Sequence, residues 1–259
     1  MNTPTRNDGT VGKALEILDQ VAAFGRPVRF SELLANSAHP KATLYRFLQT
    51  LTNQNMLAYD EHDATYSLGL RLLRLAHGAW KNASLAPIAR SFVEKLAAQV
   101  GETVHLAQID QGQVLFVDKL QASDRFETLA QVGKVAPAYC TGVGKAMLAF
   151  MAPKRLQLAL HQQAYFQYTS STLASVDALT AELNRIREDG VAYDREEHEE
   201  GIISIAAPIL STNGRVIGAL SIATATTRHT LKGLDAFRVP LLETAEKIGA
   251  EATNWQFPA

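Results

Sequence analysis

The sequence predicts an α+β chain in two parts: an N-terminal winged helix-turn-helix, then a connecting helix, then an antiparallel sheet flanked by helices. Three observations carry this. Residues 10–53 hold three segments with apolar side chains at three- and four-residue spacing, and two alternating segments follow them. From residue 103 onward, alternating or wholly apolar runs are joined by hairpin turns and separated by helical segments. The charge also divides. Residues 1–82 hold nine Lys/Arg against seven Asp/Glu (+2), and residues 83–259 hold sixteen against nineteen (−3), within a net charge of −1. A basic N-terminal part has the sign expected for contact with nucleic acid.

The chain of 259 residues is long enough for two domains and a sizeable core. An apolar fraction of 47% and a charged fraction of 20% describe an ordinary globular protein. The single cysteine, Cys140, excludes a disulfide framework and a cysteine metal cluster. No apolar run reaches membrane-spanning length, and MNTPTRNDGT lacks the apolar core of a signal peptide. The expected location is cytoplasmic.

The first helix runs from Thr10, its N-cap, with Val11, Ala14, Leu15, Leu18, Val21 and Ala22 on one face and Gly25 as its stop. Val28–Phe30 is extended, and Ser31 caps a short second helix ending near Asn36. Pro40 suits the first position of the third helix, which lasts to about Asn53. Leu44, Phe47, Leu48 and Leu51 fall on one arc of that helix; Ala42, Tyr45, Arg46, Gln49 and Thr50 fall on the other. Taken alone, this is an ordinary amphipathic surface helix. The short turn before it and the ribbon after it, around Leu57, Tyr59, Tyr66 and Leu68, change the reading to a recognition helix with a wing. Leu70–Asn82 connects the two parts as a helix expected to bury Leu72, Leu73, Leu75 and Ala76, with Arg71 and Arg74 outside.

In the second part, Leu85–Val100 is an amphipathic helix stopped by Gly101. Thr103–Ile109 and Val114–Leu120 are strands about the turn Asp110–Gln113, and another strand is expected around Phe126–Gln131. Helices follow at 141–151, from Pro153, and at 175–190, the last capped by Ser175 or Asp177 and stopped by Gly190. Val191–Tyr193 is extended. Ile202–Leu210 and Val216–Ala223 are apolar strands about a turn whose Asn213-Gly214 pair is a strong hairpin signal. A helix from about Lys232 to Thr253 closes the chain.

Four stretches then resemble the IclR family of transcriptional regulators: GTVGKALEILDQ, HPKATLYRFLQTLTNQNMLAYD, APAYCTGVGKAMLAF, and GVAYDREEHEEGIISIAAPI with GRVIGALSIA. They occur in the family's order and nearly span the chain. The resemblance implies a winged helix-turn-helix, residues 1–69, a linker helix, 70–83, and a GAF-like effector-binding domain, 84–259. It implies a homodimer or tetramer on double-stranded operator DNA, controlled by a small organic acid, either a sugar acid or an aromatic or keto acid. Lys41, Thr43, Tyr45 and Arg46 match the positions that enter the major groove, and Gln49 joins them on the polar arc. Gly142, Val143, Asp194, Ser204, Ser221 and Ala223 match the effector positions. The family often carries Ser or Thr in place of Ala42, cysteine in place of Ser204 and a second hydroxyl in place of Ala223.

Read as chemistry, Thr141–Lys145 is not a phosphate-binding loop: Tyr139 stands where that loop needs glycine, and Ala146 where it needs Ser or Thr. It is a glycine-rich helix start, whose free amides and dipole favour an anion. Ser204 and Ser221, in adjacent apolar strands, need partners if buried. The acidic run Asp194–Glu200 holds one histidine, too few for a metal site. His105 and Cys140 read as core or pocket-lining residues. No nucleophile–base constellation is supported, so neither catalytic residue, metal nor cofactor is expected. The alternative is a small-molecule-binding or hydrolytic enzyme of GAF-like fold with an N-terminal assembly module.

Overall fold

The computed structural model describes residues 9–121 and 128–252. The chain divides into two compact units, Met1–Asn82 and Ala83–Ala259.

The first unit contains α1 (Gly9–Ala23), β1 (Val28–Arg29), α2 (Phe30–Ala35), α3 (Lys41–Asn53), β2 (Leu57–Asp60), β3 (Thr65–Leu68) and α4 (Leu70–Ala83). Its core joins Ile17, Leu18 and Val21 of α1 to Leu33 of α2 and to Leu44, Phe47, Leu48 and Leu51 of α3. The helical-wheel reading of α3 therefore holds residue for residue on the buried arc. The wing is three-stranded, in the order β1-β3-β2, because Val28 and Arg29 pair with Tyr66 and Thr65. Two helix starts differ from expectation. Ser31 does not cap α2; the helix begins at Phe30, and the Glu32 carboxylate accepts from the Arg29 amide at 3.0 Å instead. Pro40 stands just before α3, and its carbonyl accepts from Leu44 N at 3.0 Å.

The connecting helix α4 corrects the expected burial. It has no buried residue. Leu72 packs partly against the core of the first unit, whereas Leu73 is 67% and Leu75 54% exposed. Near its start the helix is tied to its unit by Arg71, whose Nη1 donates to Gln54 O and Oε1.

The second unit contains α5 (Ala86–Val100), β4 (Thr103–Asp110), β5 (Gln113–Leu120), β6 (Val135–Pro137), α6 (Gly142–Ala149), α7 (Pro153–Gln162), α8 (Val176–Asp189), β7 (Ala192–Arg195), β8 (Ile202–Leu210), β9 (Val216–Ala225), a 3-10 turn (Lys232–Phe237) and α9 (Arg238–Glu251). One six-stranded sheet, order β6-β5-β4-β9-β8-β7, is antiparallel at every pairing. Of the strand expected around Phe126–Gln131, residues 126 and 127 lie outside the described residues, and 128–131 are irregular. The edge strand is β6, four residues further on, paired through Val114 with Ala136. The closing helix is not continuous either. Pro240, lacking an amide donor, belongs to the first turn of α9, and the residues before it form the 3-10 turn.

Helices cover both faces of the sheet. On one face, α5 and α9 pack on Ile203, Ile205, Ile209, Leu220 and Ile222. On the other, α6 and α8 pack on Ala107, Ala206 and Ala219. With both faces buried, β8 and β9 read as apolar runs rather than alternating ones. The alternation survives as size: large aliphatics toward α5 and α9, one- and two-atom side chains toward α6.

Candidate functional site

In the first unit, α3 presents Lys41, Ala42, Tyr45, Arg46 and Gln49 exposed, while Thr43 is half-buried at the edge of the arc. Tyr45 is held from two sides. Its ring meets Phe30 edge-on at 6.1 Å, and its hydroxyl accepts from Gln49 Nε2 at 3.0 Å. Gln49 is therefore pre-oriented, with its carbonyl oxygen free to accept. Arg46 stacks its guanidinium over Phe47 at 5.6 Å, on the flank facing α1.

In the second unit, the register of the sheet aligns the polar positions on the α6 face. Asp194 pairs with Ser204, Ser204 with Ala223, Ala206 with Ser221, and Ser221 with His105. With Gly142 and Val143 at the start of α6, they wall a cavity of about 50 Å³. All six effector positions expected from sequence line this one cavity, joined by His105, read from sequence as core or pocket-lining, and by Phe116, Thr128, His198 and Glu199, which were not expected.

Gly142 is there for room: a Cβ on it would sit 2.7 Å from Ser204 Oγ. At Gly144 a Cβ would sit 2.4 Å from the Ala138 carbonyl. No side chain caps α6, because the Thr141 hydroxyl donates to Pro137 O at 2.9 Å instead. The first amides of α6 thus remain open at its positive end. Ser204 makes no side-chain hydrogen bond among the described residues, although it is only 6% exposed.

Asp194 is 9% exposed, and its Oδ1 accepts from the Glu197 amide at 2.8 Å. Burial first, then the neighbouring Glu197 carboxylate, pushes its carboxyl up to about 7, against the opposing charge of Lys145. His105 lies between Ser221 Oγ (3.4 Å from Nδ1) and Thr128 Oγ1 (3.3 Å from Nε2). Burial, helped by the Lys119 charge, pushes the imidazole down to about 3, so it is neutral. Across the cavity mouth, Glu199 accepts from Leu129 N at 3.0 Å. Among the described residues, the charged groups lining the cavity are thus acids, with no lysine or arginine.

Lys145, which the glycine-rich start places close by, turns away from the cavity. Its fully buried ammonium donates to Tyr193 O at 2.7 Å and to Glu197 Oε1, and lies 3.9 Å from Glu182. Arg195 reaches the same Glu182 at 2.6 Å. Thr169 and Thr172 donate to the carbonyls of Glu196 and Glu197 at 2.7 and 2.6 Å. These bonds fix the turn that carries Asp194 and Glu199. Within the acidic run, Asp194 lines the cavity, while Glu196 accepts from Gly201 N at 2.7 Å. Cys140 is fully buried, and burial raises its thiol well above the usual range, so it is inert packing. Among the described residues, no cluster of His, Cys, Asp or Glu is arranged to hold a metal ion.

A helix-turn-helix with its wing, followed by a sheet domain enclosing a small polar cavity, defines a transcriptional regulator with an effector-binding domain. The family model "Bacterial transcriptional regulator IclR C-terminal" matches residues 77–250, and "IclR helix-turn-helix domain" matches residues 10–61. The chain belongs to the IclR family. The HTH-type transcriptional regulator KdgR of Escherichia coli K12 is 30% identical over 251 residues, 96% of this chain and 95% of the relative. XynR of the same organism is 28% identical over 232 residues, 90% and 92%. The crystal structure of Thermotoga maritima IclR superposes with a TM-score of 0.76 at 27% identity, over 94% of this chain and 98% of that one. An IclR homologue from Microbacterium hydrocarbonoxydans, complexed with 4-hydroxybenzoate, shares the fold with a TM-score of 0.79 at 23% identity, over 94% and 98%. The relatives are named as regulators and repressors, which places this chain among regulators rather than enzymes.

Proposed function

We propose that this chain binds operator DNA as a dimer or tetramer and releases or tightens that grip when a small organic acid enters the cavity of the second unit. In this reading residues 1–69 bind DNA, 70–83 link and 84–259 sense the effector, in the cytoplasm. The observation that carries the DNA part is α3 itself. Its buried arc is spent on the core, and its outer arc carries Lys41, Tyr45, Arg46 and Gln49 exposed, side chains suited to phosphates and base edges. Exposed Leu73 and Leu75 on α4 support an oligomer that covers them.

Two features support an acid as effector. The open amides of α6 supply a positive end, and Ser204 offers an unspent hydroxyl. Asp194 does not oppose this. A carboxyl held up to about 7 is partly protonated at neutral pH and donates to an arriving carboxylate. A cavity of about 50 Å³ holds a short keto acid more readily than an aromatic or sugar acid, which needs the walls to part. The 4-hydroxybenzoate in the Microbacterium protein is likewise a small organic acid.

A gel shift against the gene's own upstream DNA, at stated salt, tests the first half; equal binding by wild type and Arg46→Ala removes the groove assignment. A thermal-shift screen of keto, sugar and aromatic acids tests the second. A hit should be weakened by Ser204→Ala and by Ser221→Ala, and a screen with no hit counts against the acid site.

A further inference from the structure

Beside the outer arc of α3 lies a notch of about 550 Å³ whose use the reading above leaves open. Ala42 and Tyr45 form one wall, Phe30 the floor, and Tyr59 and Tyr66 of the wing the other wall. The rings are fixed. Tyr59 and Tyr66 stand 4.8 Å apart, and Tyr45 is held by Phe30 and by Gln49, which draws its hydroxyl along the helix. The surface offered is therefore mainly carbon, although Tyr45 is 50% and Tyr59 43% exposed. Lys41 borders the notch, and its ammonium has no ion pair or hydrogen bond among the described residues.

Such a surface gains from an apolar partner beside an anion. In the major groove of duplex DNA, the apolar group that varies with sequence is the C5 methyl of thymine, and small or aromatic side chains are what read it. We infer that the notch reads thymine: Ala42 and the Tyr45 ring pack on a thymine methyl, the wing tyrosines cover the adjoining sugar, and Lys41 holds the neighbouring phosphate. This rests on the proposal that α3 enters the major groove. It adds a base preference, and it adds Ala42 and Tyr59 to the residues that set it.

The test uses the full-length protein. Duplexes are first selected from a random pool with wild type. Each thymine of the selected duplex is then replaced by uracil, which removes the methyl and nothing else, and affinity is measured by fluorescence anisotropy at one salt concentration. One thymine per half-site should show a roughly fourfold loss, the worth of one buried methyl. Ala42→Gly and Tyr45→Ser, both at exposed positions, should bind the thymine and uracil duplexes equally. If every thymine can be replaced without loss, or the sensitive one stays sensitive in both variants, the inference fails while duplex binding stands. If no duplex is selected, or single strands outcompete duplexes, the groove reading itself fails and takes this inference with it.

Discussion

Asp194→Asn isolates the cost of a buried carboxylate beside the cavity of the second unit. The change keeps the shape and keeps an oxygen to accept from the Glu197 amide at 2.8 Å. It removes the ionisation. The wild-type carboxyl is raised in the fold from 3.8 to about 7, first by burial and then by Glu197. A raised acid contributes stability in full below its unfolded value and loses it as pH rises through the folded value. The loss therefore spreads between about pH 4 and pH 7 and is complete above. Roughly three units correspond to about 4 kcal/mol as an upper figure, or on the order of 8–16 °C in Tm for a domain of this size. Wild type alone would mislead. His105, pushed down to about 3, acts with the opposite sign: its contribution is present above its unfolded value of 6.5 and is lost as pH falls. The quantity to measure is the difference between variant and wild type in urea unfolding, followed by circular dichroism across pH 4–8. The variant should gain on wild type steadily up to about pH 7 and then run parallel. A difference that is flat with pH would refute the assignment of Asp194 as the titrating group.

Other outcomes follow from the same geometry. Gly142→Ala should destabilise the second unit, by roughly 1–3 kcal/mol for overpacking, because its Cβ meets Ser204 Oγ at 2.7 Å; adding Ser204→Ala should recover part of the loss in a double-mutant cycle, and strict additivity would contradict the contact. Lys145→Met should cost about 3–5 kcal/mol, the toll of leaving buried carboxylates unpaired, and Glu197→Gln on top of it should restore part of the Tm; no restoration would show that Glu182 alone carries the penalty. Leu73→Glu with Leu75→Glu, both exposed on α4 of the single chain, should lower the mass seen by sedimentation and, with it, the concentration dependence of the melting temperature; an unchanged mass would exclude α4 from the oligomer contact.

The parts of the fold legible in the sequence were those with one dominant cause. The buried arc of α3 follows from Leu44, Phe47, Leu48 and Leu51 alone, and the β8–β9 hairpin from two apolar runs about Asn213-Gly214. Ser175 caps α8 as its residue type predicts, accepting from Ala178 N at 3.2 Å. Failures came where two causes compete. On α4, Leu72, Leu73, Leu75 and Ala76 have as a set the three- and four-residue spacing of a core stripe, but burial depends on what stands opposite, which periodicity does not encode. For α2, Ser31 had the right chemistry, yet the helix starts one residue earlier, and Glu32 closes that start by accepting from the Arg29 amide. In the cavity, glycines and strand serines were visible as exceptions within apolar runs. His105 was legible only as core or pocket-lining, and Thr128 not at all, because their place depends on contacts between segments far apart in sequence. The alternation of His105 with Val104 and Leu106 was the one available signal, and it gives a face without a neighbour.

The unequal faces of β8 and β9 have an evolutionary consequence. Toward α5 and α9 the strands carry Ile203, Ile205, Leu220 and Ile222, whose volumes lock the domain together. Toward α6 they carry Ser204, Ala206, Ser221 and Ala223, where exchanging Ala, Ser, Cys or Gly alters one or two atoms. Mutation can thus redraw what the cavity accepts at a small energetic penalty, while the opposite face keeps the scaffold folded through every intermediate. Descendants of such a chain can reshape the cavity one residue at a time, without first acquiring spare stability.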